Sequence, residues 1–164
     1  MVLSQMDAGR ALTSAAAKGN TNEVRRILEE CRVHPDTANE FDRTALQVMM
    51  MGNTKIASLL LEHGAEPNAQ DRHGIAPAHD AARTGFLETL QVLVEHGASV
   101  NLPDKKGALP IHIAIGEGHR DVVEFLAPRS DLKHANTSGH TAVDVARESH
   151  VPDMIDLVFA HIHS

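Results

Sequence analysis

The amino-acid sequence predicts an all-α solenoid of five stacked helix-turn-helix units, and three observations carry that prediction. A four-residue pattern recurs in Thr44-Ala45-Leu46-Gln47, Ala76-Pro77-Ala78-His79, Leu109-Pro110-Ile111-His112 and Thr141-Ala142-Val143-Asp144, at spacings of 32, 33 and 32 residues. Apolar residues then recur at i, i+3, i+4: Val24, Ile27 and Leu28, later Leu90, Leu93 and Val94, later Val123 and Leu126, which makes one buried helical stripe per unit. Four Phe are the only aromatics among 164 residues, with no Trp or Tyr. Small, even-sized Ala, Leu, Val and Ile must therefore fill the interior, which suits thin layers that each cover the next.

The recurring pattern resembles the T-P-L-H-x-A opening of the ankyrin repeat, a helix-turn-helix unit of about 33 residues. Repeat 1 (5–38) is recovered by stepping back 66 residues from Ala81-Ala82-Arg83-Thr84-Gly85 to Ala15-Ala16-Ala17-Lys18-Gly19. Cys31 falls where Gly64 and Gly97 close the second helices of repeats 2 and 3. Repeat 2 (39–70) breaks the rule most. It has one residue fewer between Thr44 and Gly64 than repeat 3 has between Ala76 and Gly97, and Met49-Met50-Met51-Gly52 replaces the small Ala81-Ala82 pair. Its first helix is expected to be short or distorted. Asp42 also stands where Gly74, Gly107 and Gly139 precede the other motifs, a position that needs positive φ and suits Asp less well than Gly. Repeat 3 (71–103) follows the pattern, with Glu95-His96-Gly97-Ala98 matching Glu62-His63-Gly64-Ala65 and Asn101 matching Asn68. In repeat 4 (104–135), Pro128 and Ser130 predict an early end to the second helix. Repeat 5 (136–164) closes a single domain spanning 1–164.

A formal net charge of −7 and the lack of clustered Lys and Arg argue against nucleic-acid or membrane-surface binding. One cysteine, Cys31, excludes an intramolecular disulfide, so a reducing compartment, cytoplasm or nucleus, is expected. Met1 to Arg10 carries Asp7 and no basic segment followed by an apolar block, so it does not read as a signal peptide.

Twelve histidines do not amount to a metal site, because ligand sets need three or four converging donors. His79 and His112 occupy the fourth motif position and are expected to tie repeats together through backbone hydrogen bonds, while His161 and His163 read as a frayed end. No catalytic Cys–His pairing and no phosphate-cradling glycine loop emerges. A non-enzymatic binding protein that needs no cofactor and is monomeric when free is expected.

Asp80 stands out, since the equivalent inner-helix positions in repeats 2, 4 and 5 are Val48, Ile113 and Val145. Arg83 lies three residues on and shares its helix face. A lone carboxylate in an apolar column fits partner binding on the concave face, and the bland alternative is a solvated intrahelical ion pair worth little to stability. The Met49–Met51 run reads two ways: filler for a lost helical turn, or a soft contact surface.

The segment from His79 to Leu90 resembles the third repeat of the ankyrin-type inhibitors of the D-cyclin-dependent kinases, and Thr44 to Gly52, with its deletion, resembles that family's degenerate second repeat. Val33-His34-Pro35-Asp36, Gly107-Ala108-Leu109-Pro110-Ile111-His112 and Ser130-Asp131-Leu132 favour a five-repeat member. The resemblance implies an inhibitor of cyclin-dependent kinases 4 and 6 that binds both kinase lobes through its concave face, distorts them and opposes D-cyclin activation, restraining G1 progression. It also implies that Asp80 pairs with a kinase arginine and Arg83 supports that contact. Met49, Met50, Asp71, Phe86 and Glu88 complete the surface, with Asn22 and Glu23 in repeat 1 as outlying contacts. The rival class is a general ankyrin adaptor with a non-kinase partner, which periodicity alone leaves open.

Because each layer touches only its neighbours and repeats 1 and 2 are the poorest matches, amide hydrogen exchange should be faster across 5–70 than across 71–135. Uniform protection over both stretches would contradict this reading.

Overall fold

The computed structural model describes residues 4–162, so His163 lies outside the described residues. Among the described residues ten α-helices form five pairs. They are α1 (Gln5–Ala17) with α2 (Thr21–Glu29), α3 (Ala45–Val48) with α4 (Thr54–Glu62), α5 (Pro77–Thr84) with α6 (Leu87–Glu95), α7 (Pro110–Glu117) with α8 (Arg120–Leu126), and α9 (Ala142–Glu148) with α10 (Met154–Phe159). Second helices stack in an unbroken row from α2 through α4, α6 and α8 to α10, and first helices stack as α1 on α3 and as α5 on α7 on α9. The first-helix row loosens only between α3 and α5. The periodic apolar residues meet between the two rows, where Ile27, Leu60, Leu90, Leu93, Ile111 and Leu126 are fully buried.

The loosening has a local cause. Thr44 and Gln47 cap α3 reciprocally, but after one turn Met49 adopts extended backbone at φ −66°, ψ 157°. With one residue missing, the chain cannot complete a second turn and still reach α4 in register. Met49 and Met51 turn inward and are buried, while Met50 stays 66 % exposed. The expected short helix is therefore found, and the three methionines divide between filler and surface.

The lost turn leaves the Met51 carbonyl without a helical partner. The buried Thr89 hydroxyl supplies one, donating to Met51 O at 2.5 Å while lying 2.9 Å from the Thr54 hydroxyl. Positions equivalent to Thr89 in repeats 2 and 4 are Ile56 and Val122, so the hydroxyl is specific to the layer that faces the truncated helix.

Each tip turn is closed by one side chain. Asn39 accepts from the Phe41 and Arg43 N–H, Asp71 from His73 and Ile75, Asp104 from Lys106 and Ala108, and Asn136 from Ser138 and His140. Cross-layer bonds from Asn68 to Gly97 and Ser99, and from Asn101 to Arg129 and Asp131, run in the same register. Asp42 takes φ +60° as expected.

Three expectations need refinement. In repeat 1 the left-handed residue after the second helix is Arg32, at φ +52°, and not Cys31, because the chain there carries one extra residue before Pro35. The second helix of repeat 4 does end early, at Leu126, but continues as a 3-10 turn over Ala127–Arg129. The Ser130 hydroxyl then donates to the Leu126 carbonyl at 2.7 Å, taking over the closing role of the missing glycine. His79 ties repeats as expected, accepting from Ala76 N–H at 3.1 Å and donating from Nε2 to Ala108 O at 3.0 Å. His112 makes only the local half, accepting from Leu109 N–H at 3.1 Å. Its buried Nε2 has no hydrogen-bond partner among the described residues, and its ring stands edge-on to His134 at 6.0 Å.

Thr89→Val, nearly isosteric, should leave the Met51 carbonyl buried and unpaired and lower unfolding free energy by about 1–3 kcal/mol. Urea denaturation checks this, and Thr89→Ser, which keeps the donor, should lose clearly less.

A groove where a helical turn is missing

The gap between α3 and α5 opens a groove of about 930 Å³. Its walls come from Arg43, Gln47, the Met49–Lys55 segment, Asp71, Pro77, Asp80, Arg83, Thr84, Phe86 and Glu88, among others. Seven of the sequence-expected partner residues thus converge: Met49, Met50, Asp71, Asp80, Arg83, Phe86 and Glu88. Asn22 and Glu23 do not join them. They sit in the first turn of α2, in repeat 1, and the Glu23 carboxylate is taken up by Arg26 on its own helix.

Asp80 projects from α5 into the groove with its side chain 28 % exposed, and its Oδ1 lies 3.5 Å from the Arg83 guanidinium. The intrahelical pair is therefore formed, with Arg83 exposed and Asp80 half-buried. Burial pushes the carboxyl above the usual aspartate range, the Arg83 charge only partly opposes it, and nearby Asp71 adds repulsion. For Asp71, burial again works against the charge, but the Ile75 and His73 N–H groups and the charges of His73 and Arg43 hold it below the ordinary range. Two carboxyls share one wall, Asp71 held below its ordinary range and Asp80 raised above it.

Phe86 begins α6 where repeats 1 and 2 carry helix-capping asparagines. Asn20 and Asn53 accept from Glu23 N–H and Ile56 N–H, but Phe86 offers no cap, a loss of about 1 kcal/mol for an average helix. Its ring is 46 % exposed and packs over Gly52, where a Cβ would come within 3.0 Å of it. Phe86 and Met50 form an apolar lip, and Met49, 4 % exposed, forms floor beneath it. Met49, expected to complete the surface, thus does so from beneath, as part of the groove lining. Glu88 stands exposed in the first turn of α6.

Arg43, Gln47, Lys55 and Thr84 also line the groove, and the repeat pattern does not mark them. Arg43 lies 3.9 Å from Asp71; it immediately precedes the repeat-2 motif, and that adjacency was the only signal available. Asp71 itself combines groove wall with tip-turn clamp, a role legible in the 39, 71, 104, 136 spacing of Asn and Asp.

The stacked helix pairs define an ankyrin-repeat protein. The family model for ankyrin repeats in three copies matches residues 3–71, the single-repeat model matches 73–105, and the model for many copies matches 93–146. Human cyclin-dependent kinase inhibitor 2A is 44 % identical over 144 residues, covering 87 % of this chain and 90 % of its own. Human cyclin-dependent kinase 4 inhibitor B is 50 % identical over 116 residues (70 % and 83 % of the two chains), and its rat counterpart 48 % over 121 (73 % and 91 %). The chain belongs to the family of ankyrin-repeat cyclin-dependent kinase inhibitors.

The two methionine roles separate by experiment. Met49→Ala should lower stability by about 2–4 kcal/mol because it empties buried space, whereas Met50→Ala should change it by less than about 0.5 kcal/mol; thermal melts of the two variants check the contrast.

Proposed function

We propose that this protein inhibits cyclin-dependent kinases 4 and 6 by laying the groove between α3 and α5, on the concave face, against the kinase, with no catalysis of its own. Asp80 carries the reading: the structure half-buries an aspartate that Arg83, its ion-pair partner among the described residues, only partly compensates, at a position that is Val48, Ile113 and Val145 in repeats 2, 4 and 5. Family membership supports a kinase as the source of that cation, and a kinase arginine is the fitting group because its planar fork matches a carboxylate. Met50 and Phe86 would cover the pair from water, and Arg83 would hold the carboxylate from behind.

Inhibition then follows from rigidity and position. A kinase needs its two lobes and regulatory helix aligned for its lysine–glutamate pair and its metal-binding aspartate to act. A stiff solenoid bridging both lobes rotates one against the other, and reciprocal coupling then weakens nucleotide and D-cyclin binding together. In a cell, that action restrains passage through G1.

Asp80→Asn should weaken binding to either kinase roughly thirtyfold, by leaving a desolvated arginine unpaired. The fold should not suffer. Because the folded state raises the Asp80 pKa, its charge opposes folding at neutral pH, so the Asn variant should melt at the parent's temperature or slightly above. Pairing with a cation pulls that pKa back down, so parent affinity should fall as pH drops from neutral into the raised Asp80 range, and more steeply than the variant's. A variant that binds like the parent refutes the assignment of Asp80; a parent that binds neither kinase refutes the function.

A further inference from the structure

Repeat 4 contributes no residue to the groove lining, yet one of its side chains is fastened to the turn that frames it. His119, immediately before α8, donates from Nε2 to the Arg83 carbonyl at 3.0 Å. That carbonyl belongs to the last turn of α5, where acceptors lack helical partners. The imidazole also lies on Gly85, where a Cβ would fall 2.7 Å from Nδ1. Gly85, at φ +80°, leads directly into Phe86, whose ring lies on Gly52 in the layer before. Two rings therefore rest on two glycines in successive layers, His119 on Gly85 and Phe86 on Gly52. Both occupy the column in which Asn20 and Asn53 cap their helices, and neither caps its own.

A glycine in the left-handed region is free to leave it, since nothing on its Cα resists rotation. The Gly85 and Phe86 N–H groups both donate to the Ala81 carbonyl and close the turn from within; the histidine from the next layer is the tie from outside the repeat, bonded to the Arg83 carbonyl and lying against Gly85. We infer that His119 is a positioning residue for the partner-binding groove: it clamps the turn from α5 into Phe86, and so sets the direction in which the Phe86 ring meets a bound kinase. The inference rests on the kinase-binding reading above, and it extends the determinants of that binding to a repeat outside the groove lining.

The test pairs calorimetry against cyclin-dependent kinase 6 with NMR of the free protein, on the parent, His119→Ala, His119→Gln, Phe86→Ala and the double variant His119→Ala with Phe86→Ala. All are measured at a temperature where circular dichroism shows each fully folded. His119→Ala should lose about fivefold in affinity, in line with couplings between contacting residues. His119→Gln, with a donor at similar reach, should recover most of it. In the Phe86→Ala background the loss should vanish, because a residue acting through Phe86 then has nothing to act through. In the free protein, the contact between the Phe86 ring and Gly52 should weaken in His119→Ala and persist in His119→Gln. Equal losses in both backgrounds, full affinity in folded His119→Ala, or an unchanged Phe86–Gly52 contact would each overturn the proposal. A parent that fails to bind the kinase would defeat the functional reading, and the NMR comparison would still decide whether His119 sets the turn.

Discussion

Each helix pair has an apolar face that only the neighbouring pair can cover, and the geometry of every layer follows from that dependence. The 33-residue period lets Leu60, Leu93 and Leu126 sit in step, and Asn68 and Asn101 bond across layers in the same register. A layer that loses residues cannot shift to suit itself, because its neighbours on both sides set where its helices must lie. Repeat 2 shows the result. The deletion is absorbed entirely within α3, and α4 keeps its place in the outer row.

The absorbed deletion is also what opens the groove. A complete second turn in α3 would occupy the space now bounded by Met50, Asp80 and Phe86. The groove is held open by local concessions: a carboxyl raised by burial, an aromatic ring in water, a helix without its cap, and a carbonyl rescued from the adjacent layer. Each concession lies in repeats 2 and 3, whose inner helices would otherwise pack as α5 and α7 do.

Much of this was legible in the sequence because it was written in spacing. Five repeats, the stunted α3, the left-handed Asp42 and the odd carboxylate at position 80 all follow from comparing residues 32 or 33 apart. What escaped was of two kinds. Some compensations lie outside the pattern being compared: Thr89 looks like an ordinary substitution for Ile56 or Val122 until the Met51 carbonyl is placed beside it. Other residues carry two roles that spacing cannot separate. Met49 and Met50 are adjacent and alike, and only the extended backbone at Met49 sends one inward and the other out. Asp71 repeats a tip-turn clamp and also faces the groove. Cys31 and Arg32 show the opposite error, where an inserted residue moved the left-handed position by one.

The truncation of α3 sets a rule for anyone reshaping this scaffold. Protein engineers stabilise repeat proteins by replacing irregular modules with idealised ones, and repeat 2 is the obvious candidate. Restoring the missing residue and an Ala-Ala pair would lengthen α3, seat it on α5 and yield a sturdier array with a flat inner face. That array would have lost its recess. A library built to recognise new targets would do better to keep the deletion, keep Thr89 as its companion, and vary only the rim.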